Sequence, residues 1–316
     1  MTISSTARPA ATGRQHELRR AGSTAVVTEL AAALRSYSRD GVVLTETYGD
    51  HQIPPRAVGI MLAPWANRIE DGRWTLDGTT QQLDITEPTR GHASHGLLRN
   101  TGYDLLERTE SSAALEAVAF PQHGYPFLVR HRVDYALDAE GGLRVTQTLT
   151  NDSDAAAPYV LGAHPYLRVG DVPSEELTLT VPATTRFVED ERLIPRRSEP
   201  AAGEWDLRGG RTVGELTLDA GYTGLAFAAV AHDGEGEPRS VRSTLTAPDG
   251  RSVWLWQEES CRYVHVFVTD TFPGRAKGVA LEPMTGAANA FNSGEGLQWV
   301  GPGESASMRW GIGSSL

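Results

Sequence analysis

The amino-acid sequence predicts an all-β chain, a large antiparallel β-sandwich. Short runs of alternating apolar and polar residues recur along it. In residues 144–150, Val145, Gln147 and Leu149 alternate with Thr146, Thr148 and Thr150, the period-two pattern of a half-buried strand. Similar runs occupy residues 41–47, 115–120, 128–137, 143–151, 177–181 and 225–230. Turn signals fall between them: Asp40-Gly41, Asp71-Gly72, Asp77-Gly78, Gly141-Gly142, Asp233-Gly234 and Asp249-Gly250. An Asp-Gly pair supplies the positive φ of a tight hairpin turn, and residues 74–76 and 81–83 read as the two arms of one such hairpin. Helical periodicity is scarce, because residues 58–62 are too few to nucleate a helix and residues 28–34 suit a strand lead-in equally well.

A chain of 316 residues exceeds the usual length of one domain, but large β folds reach this size. No linker-like segment divides it, so residues 24–316 are expected to form one domain. Residues 1–23, rich in Ala, Thr, Ser and Arg, are expected to be a poorly ordered tail. Residues 189–211 are irregular and charged, and are expected to make a long surface excursion.

The composition excludes several functions. A net charge of −11 is unsuited to nucleic acid, which needs clustered Lys and Arg to displace counterions, and to an anionic membrane surface. No signal peptide and no apolar run of spanning length is seen, so a cytoplasmic location is expected. No βαβ alternation or phosphate-binding glycine loop occurs. Cys261 is the single cysteine, which leaves no intrachain disulfide and no Cys-based metal cluster, and reads as a small buried hydrophobe.

Four segments put reactive side chains beside turn-forming or aromatic residues: Ala63-Pro64-Trp65-Ala66-Asn67-Arg68-Ile69, Gly91-His92-Ala93-Ser94-His95-Gly96-Leu97, Gly162-Ala163-His164-Pro165-Tyr166-Leu167 and Leu281-Glu282-Pro283-Met284-Thr285-Gly286. His164 sits where a strand leaves its ladder, because Pro165 has no backbone donor. It is either a functional histidine or one that hydrogen-bonds its loop. Glu282 follows the apolar run Gly278-Val279-Ala280-Leu281, and burying a carboxylate there is costly unless it is paired or its pKa is raised. It is either a general base or half of an ion pair with an arginine. His92 and His95, three apart, with His164 would allow a metal site, but no HExxH spacing is present and no metal is expected.

The four segments, in this order, resemble the aldose 1-epimerase (galactose mutarotase-like) family, in particular its bacterial branch. Further matches are the Asp71-Gly72 and Asp77-Gly78 turns, Leu218-Asp219-Ala220-Gly221-Tyr222 and Ala290-Phe291-Asn292-Ser293-Gly294-Glu295-Gly296-Leu297. The resemblance spans residues 44–302 and implies the β supersandwich of that family. It also implies Glu282 as general base, His164 as general acid, and His95, Arg68 and Asp219 as substrate-binding residues, with Asn67 a further contact. His92 matches no functional position. Two departures stand out. Asn100, Thr101 and Gly102, followed by Tyr103, replace the tryptophans usual after the His-Gly-Leu motif, and His265 stands where relatives more often have Gln. Both are expected near the sugar pocket.

The implied reaction interconverts the α and β anomers of a free aldose, glucose- or galactose-like, by ring opening and reclosure. A carboxylate base and an imidazolium acid, held on opposite sides of the sugar, suffice for it, and no cofactor is expected. The expected partner is a small sugar, with a monomer and a dimer both open. Trp65 or Trp256 could cover the apolar face of the ring, although core packing is favoured for Trp256. Two alternatives remain. A hexose-6-phosphate 1-epimerase would need a phosphate clamp, for which Arg99 and Arg168 are the candidates. A non-catalytic carbohydrate-binding protein on the same scaffold would not need the acid–base pair. A metal-dependent lyase is a weaker third.

Overall fold

Alternation along the strands decides how two sheets share one core. The structure is a computed structural model that describes residues 8–229 and 239–316. Its largest sheet has ten strands and a second has eight. In the ten-stranded sheet the long strands Ser112–Ala119, Val129–Leu137, Leu143–Asn151, Ser305–Ser315, Ser252–Glu258 and Arg239–Thr246 lie side by side, all antiparallel. One face of each is buried. In Leu143–Asn151 it carries Val145, Gln147 and Leu149, with Thr146, Thr148 and Thr150 on the outer face. Val133, Met308, Trp310 and Leu255 join the same core. Burying each such side chain contributes about 1.5–3 kcal/mol.

The eight-stranded sheet closes that core from the other side. Its central strands are Leu218–Leu225, Tyr263–Thr269 and Gly278–Met284, paired in that order. Ala220, Val264, Val266, Val268, Val279 and Leu281 point into the shared core. Residues one step out of phase point to the opposite face, and that face carries the site.

Four sequence expectations change. Strand Gln15–Arg20 lies within the stretch expected as a tail and pairs with Ser23–Thr28. The cause is burial of His16 and Leu18 in alternation, a signal two residues long amid polar neighbours. The stretch expected as a surface excursion contains strand Pro195–Pro200, which pairs with Ala183–Glu189 across a short turn. Its charged residues are there because Pro195–Pro200 is the edge strand of the sheet. Trp256 lies on the outer face of the large sheet, half-buried, and not in the core. It faces Gly311 across the strand pair, as Trp254 faces Gly313, and Arg144 and Arg242 lie over the two rings. The run expected over residues 225–230 is broken, since one strand ends at Leu225 and the next is Ala228–Ala229. Val230 and the Asp233-Gly234 turn lie outside the described residues. The hairpin expected at residues 74–83 forms, as Arg73–Leu76 paired with Thr79–Gln82.

One buried polar chain ties the two sheets together. Gln147 Nε2 donates to the Gly162 carbonyl at 3.1 Å, so its Oε1 is left to accept from His131 Nε2–H at 3.1 Å. His131 Nδ1 then accepts from the Tyr103 hydroxyl at 2.8 Å. Burial pushes the His131 pKa down to about 4, so the ring stays neutral. Gly162 opens the short strand that leads into His164, which places this chain of bonds directly beneath the site. We expect Gln147→Leu to cost roughly 2–4 kcal/mol, because it orphans both the imidazole and the carbonyl. Urea denaturation measures it, and a cost under about 1 kcal/mol removes the network from the fold's support.

Candidate active site

Three neighbouring strands each place one titratable side chain on the face turned away from the core. Asp219 alternates with core-facing Leu218 and Ala220, His265 with Val264 and Val266, and Glu282 with Leu281. His265 lies directly across from Glu282, and Gly221 lies across from His265. Glu282 therefore sits inside its strand rather than at its end, and only 2% of it is exposed.

Loops complete the cleft. His164 follows Gly162–Ala163, and its backbone is pinned by His164 N–H to the Ile60 carbonyl at 3.0 Å and by Gly59 N–H to its own carbonyl at 2.8 Å. Asn67 and His95 flank the small ladder of Arg68–Ile69 and Ala93–Ser94. Both are in the left-handed region, at φ 55° and 63°, and His95 N–H bonds the Asn67 carbonyl at 2.8 Å. Gly96 lies next to Ala63 so closely that a Cβ would stand 2.0 Å from its carbonyl oxygen. That close approach is why a His-Gly pair is needed there.

A cleft of about 590 Å³ results, lined by Glu282, His164, His95, Asp219, Arg68 and Asn67, all six of the residues expected from sequence. His164 Nε2 lies 3.4 Å from Glu282 Oε1. The two converge on one point and do not face each other across a sugar, as the sequence reading expected. Among the described residues, Glu282 Oε2 and the Nδ1 atoms of His95, His164 and His265 are buried without hydrogen-bond partners. His95 packs edge-on against His164 at 5.4 Å, and Tyr166 stacks on His164 at 5.2 Å.

The histidines fall into two electrostatic classes. Burial holds the His95 pKa well below the ordinary value, with the His164 and Arg99 charges acting the same way. Burial also lowers His164, against the opposing pull of Glu282, so a permanently protonated His164 is not what the free site favours. His265 is the reverse. Burial works against its charge, but the 2.8 Å hydrogen bond to Asp219 and the nearby carboxylates outweigh burial and raise its pKa. Asp219, likewise opposed by burial, is brought down to about 2 by His265, Arg68 and Arg90.

Arg68 spends most of its fork within the protein. Its Nε and Nη2 bond Glu87 at 2.8 and 3.2 Å, and Nη1 reaches Asn67 Oδ1 at 3.3 Å and Asp219 at 3.7 Å. Glu87 also pairs with Arg90 at 2.8 Å. Glu87 and Arg90 were missed from sequence, and no local pattern marks them. Phe267 and Thr269 were also missed, although their phase with His265 in the strand would have placed them on the cleft.

Other expectations land elsewhere. Trp65 is buried against Tyr125 and Phe291, so Phe267 is the aromatic lining the cleft. Arg168 lies away from the cleft with Glu46 and Asp171. Asn100, Thr101 and Gly102 do not line the cleft and Tyr103 is in the core, whereas His265 does line it. His92 Nδ1 accepts from Asp71 N–H and its Nε2 faces the Arg192 carbonyl, so it braces a loop. Among the described residues, no three His, Cys, Asp or Glu side chains are grouped as metal ligands. Buried Cys261 has its thiol pushed up to about 12 by burial.

The sequence model of the family Aldose 1-epimerase matches residues 14–312. The chain belongs to the aldose 1-epimerase family. Among its relatives is the Escherichia coli K12 protein described as uncharacterized protein YihR. It is 30% identical over 272 residues, covering 85% of this chain and 83% of that protein. The fold is shared with a galactose mutarotase-like protein of Clostridium acetobutylicum, with a TM-score of 0.81 at 17% identity over 95% of this chain and 94% of that one. It is shared also with a galactose 1-epimerase of Lactobacillus acidophilus, with a TM-score of 0.76 at 17% identity over 95% of this chain and 94% of that one. Among the described residues, no helix is long and apolar enough to cross a membrane.

The His265–Asp219 pair makes stability depend on pH. A histidine with a raised folded pKa contributes fully below its unfolded value of about 6.5 and loses that contribution as pH rises through the folded value. Asp219 contributes above its unfolded value of 3.8 and loses its share as pH falls from there through about 2. We expect His265→Gln to flatten the fall in thermal stability as pH rises above ~6.5. Melting curves across that range check it, and an unchanged slope would mean that His265 is not the group responsible.

Proposed function

We propose that the chain is an aldose 1-epimerase that interconverts the α and β anomers of an aldose, with Glu282 as base and His164 as acid. The observation that carries this reading is their convergence at 3.4 Å, both buried and both facing the cleft. The hydroxyl and ring oxygens of a hemiacetal are bonded to the same carbon, C1. The groups that serve them must therefore meet at one point.

Glu282 takes the proton from the C1 hydroxyl while His164 gives one to the ring oxygen. The C1–ring-oxygen bond breaks and the C1 carbonyl forms. Rotation about C1–C2 presents the other face of the aldehyde, and the same two transfers run backwards to close the ring. No group leaves and no electron is transferred. Asp219, Asn67, His95 and the free edge of Arg68 are the hydroxyl-binding groups, and Phe267 covers the C–H face of the ring. A protein that only bound sugar would gain nothing from burying an acid–base pair.

Glu282→Gln and His164→Asn are each expected to lower kcat by about 10²–10⁴-fold while leaving the fold intact. Polarimetry of freshly dissolved α-glucose and α-galactose reads the rate, and wild-type turnover by either variant removes that residue from its role. The acid form of His164 exists below its pKa, which burial lowers. Hence kcat/KM should rise as pH falls from ~8 toward ~6, and a flat profile would argue against His164 as the acid.

A further inference from the structure

The strand that carries Glu282 is paired, on its His164 side, through a ladder with a gap. Gly162 lies across from Met284, and Tyr166 and Leu167 lie across from Ala280 and Val279. Carried through the gap, the same register sets His164 opposite Glu282. The Pro165 carbonyl accepts from Leu281 N–H at 3.2 Å, so the backbone on either side of His164 is fixed. Its imidazole is still free to choose among rotamers. A histidine that moves protons is commonly oriented by a hydrogen bond to its second nitrogen. Here that bond is missing, since Nδ1 is buried without a partner among the described residues while Nε2 faces Glu282.

Aromatic rings hold the imidazole instead. Tyr166 stacks on His164 with centroids 5.2 Å apart and planes within 18° of parallel, and His95 meets the same ring edge-on at 5.4 Å. Tyr166 is itself well fixed. Phe272 packs on its ring at 4.9 Å, Tyr48, Val58 and Ala280 complete the cluster, and its hydroxyl donates to the Arg56 carbonyl at 3.2 Å. It is fully buried and is not among the residues lining the cleft, so it acts on a sugar only through His164. Burial keeps the phenol protonated, and it presents to His164 the electron-rich face of an uncharged ring. Other charges reach His164 from the strands, where Glu282 and Asp219 favour its protonation and His265 opposes it. On the loop side stand His95, with Arg99 and Arg68 acting on it, and the guanidinium of Arg56 at the rim.

We propose that Tyr166 is the positioning residue of the acid: its ring face sets the plane of the His164 imidazole and stabilises the protonated form of that ring. The proposal rests on the assignment of His164 above. A cation is drawn to an aromatic face by the ring quadrupole, and more strongly out of water. The face therefore offsets part of the cost of charging His164 inside the protein. A second carboxylate in its place would also favour the charge, but would make Glu282 harder to ionise.

Two replacements of like shape isolate the ring face. Tyr166→Phe keeps the face and loses only the hydroxyl. Pentafluorophenylalanine at position 166 keeps the shape and makes the face electron-poor. NMR titration of protein labelled with 13C at histidine Cε1, with His164→Asn to assign the resonance, reads the His164 midpoint without any sugar. Tyr166→Phe should keep the wild-type midpoint, and the fluorinated ring should lower it by about 0.5–1 pH unit. Equal midpoints for the two rings, or an imidazole that stays neutral throughout, overturn the proposal. Tyr166→Leu removes the face, and polarimetry should show kcat lowered about 10- to 100-fold at nearly unchanged KM. A folded Tyr166→Leu with wild-type kcat also overturns it, and if that variant does not fold, the two aromatic replacements decide alone. If the wild type epimerises no aldose, the epimerase reading fails instead, and the NMR midpoints still decide what Tyr166 does to His164.

Discussion

A carboxylate in the middle of a β-strand, nearly all of it buried, sets the terms for everything around it. Glu282 lies inside Gly278–Met284, a strand in which every residue is buried. An ionised group there is tolerated only if cations and dipoles replace the lost water. The fold supplies them from three directions. His164 arrives on a loop bent by proline, His265 from the next strand, and Arg68 from the loop across the cleft. His265 and Arg68 bring partners of their own, so that charge is balanced in pairs spreading outward through Asp219 and Glu87 to Arg90.

This spreading explains why the cleft is polar while its back wall is apolar. One residue out of phase separates Val266 and Leu281, in the core, from His265 and Glu282, in the site. A slip of one residue in either strand would exchange the two faces. The core on the far side is thus what fixes the register of the chemistry. The Tyr103–His131–Gln147 chain of hydrogen bonds reinforces it, passing through that core to reach the strand that leads into His164.

Much of this was legible in the sequence. The long strands and hairpin turns follow from period-two alternation and Asp-Gly pairs, which act over a few residues. The four polar segments stood out because reactive side chains beside Pro and Gly are uneconomical in a strand interior. What could not be read was pairing over distance. Glu87 becomes meaningful only when folding sets it against Arg68, 19 positions away. The inward face of Gln147 was visible, but not its partners His131 and Gly162. Trp256 was assigned to the core because residues 253–256 read as a strand, although its phase in Ser252–Glu258 matches the outward-facing positions, where a glycine on the neighbouring strand leaves room for the ring. The first strand was missed because only His16 and Leu18 carry the pattern.

The left-handed residues around the cleft have an evolutionary consequence. Asn67 and His95 both have positive φ, a geometry that costs about 1–3 kcal/mol for histidine and little for asparagine. Few replacements at these places would leave the loops in their present course, since only glycine and asparagine accept that geometry readily. Change in the sugar preferred is therefore channelled away from the loop backbones. It must come through side chains on ordinary extended backbone, such as Phe267, His265 and Thr269. The lineage can repaint the floor of this cleft far more easily than it can move its walls.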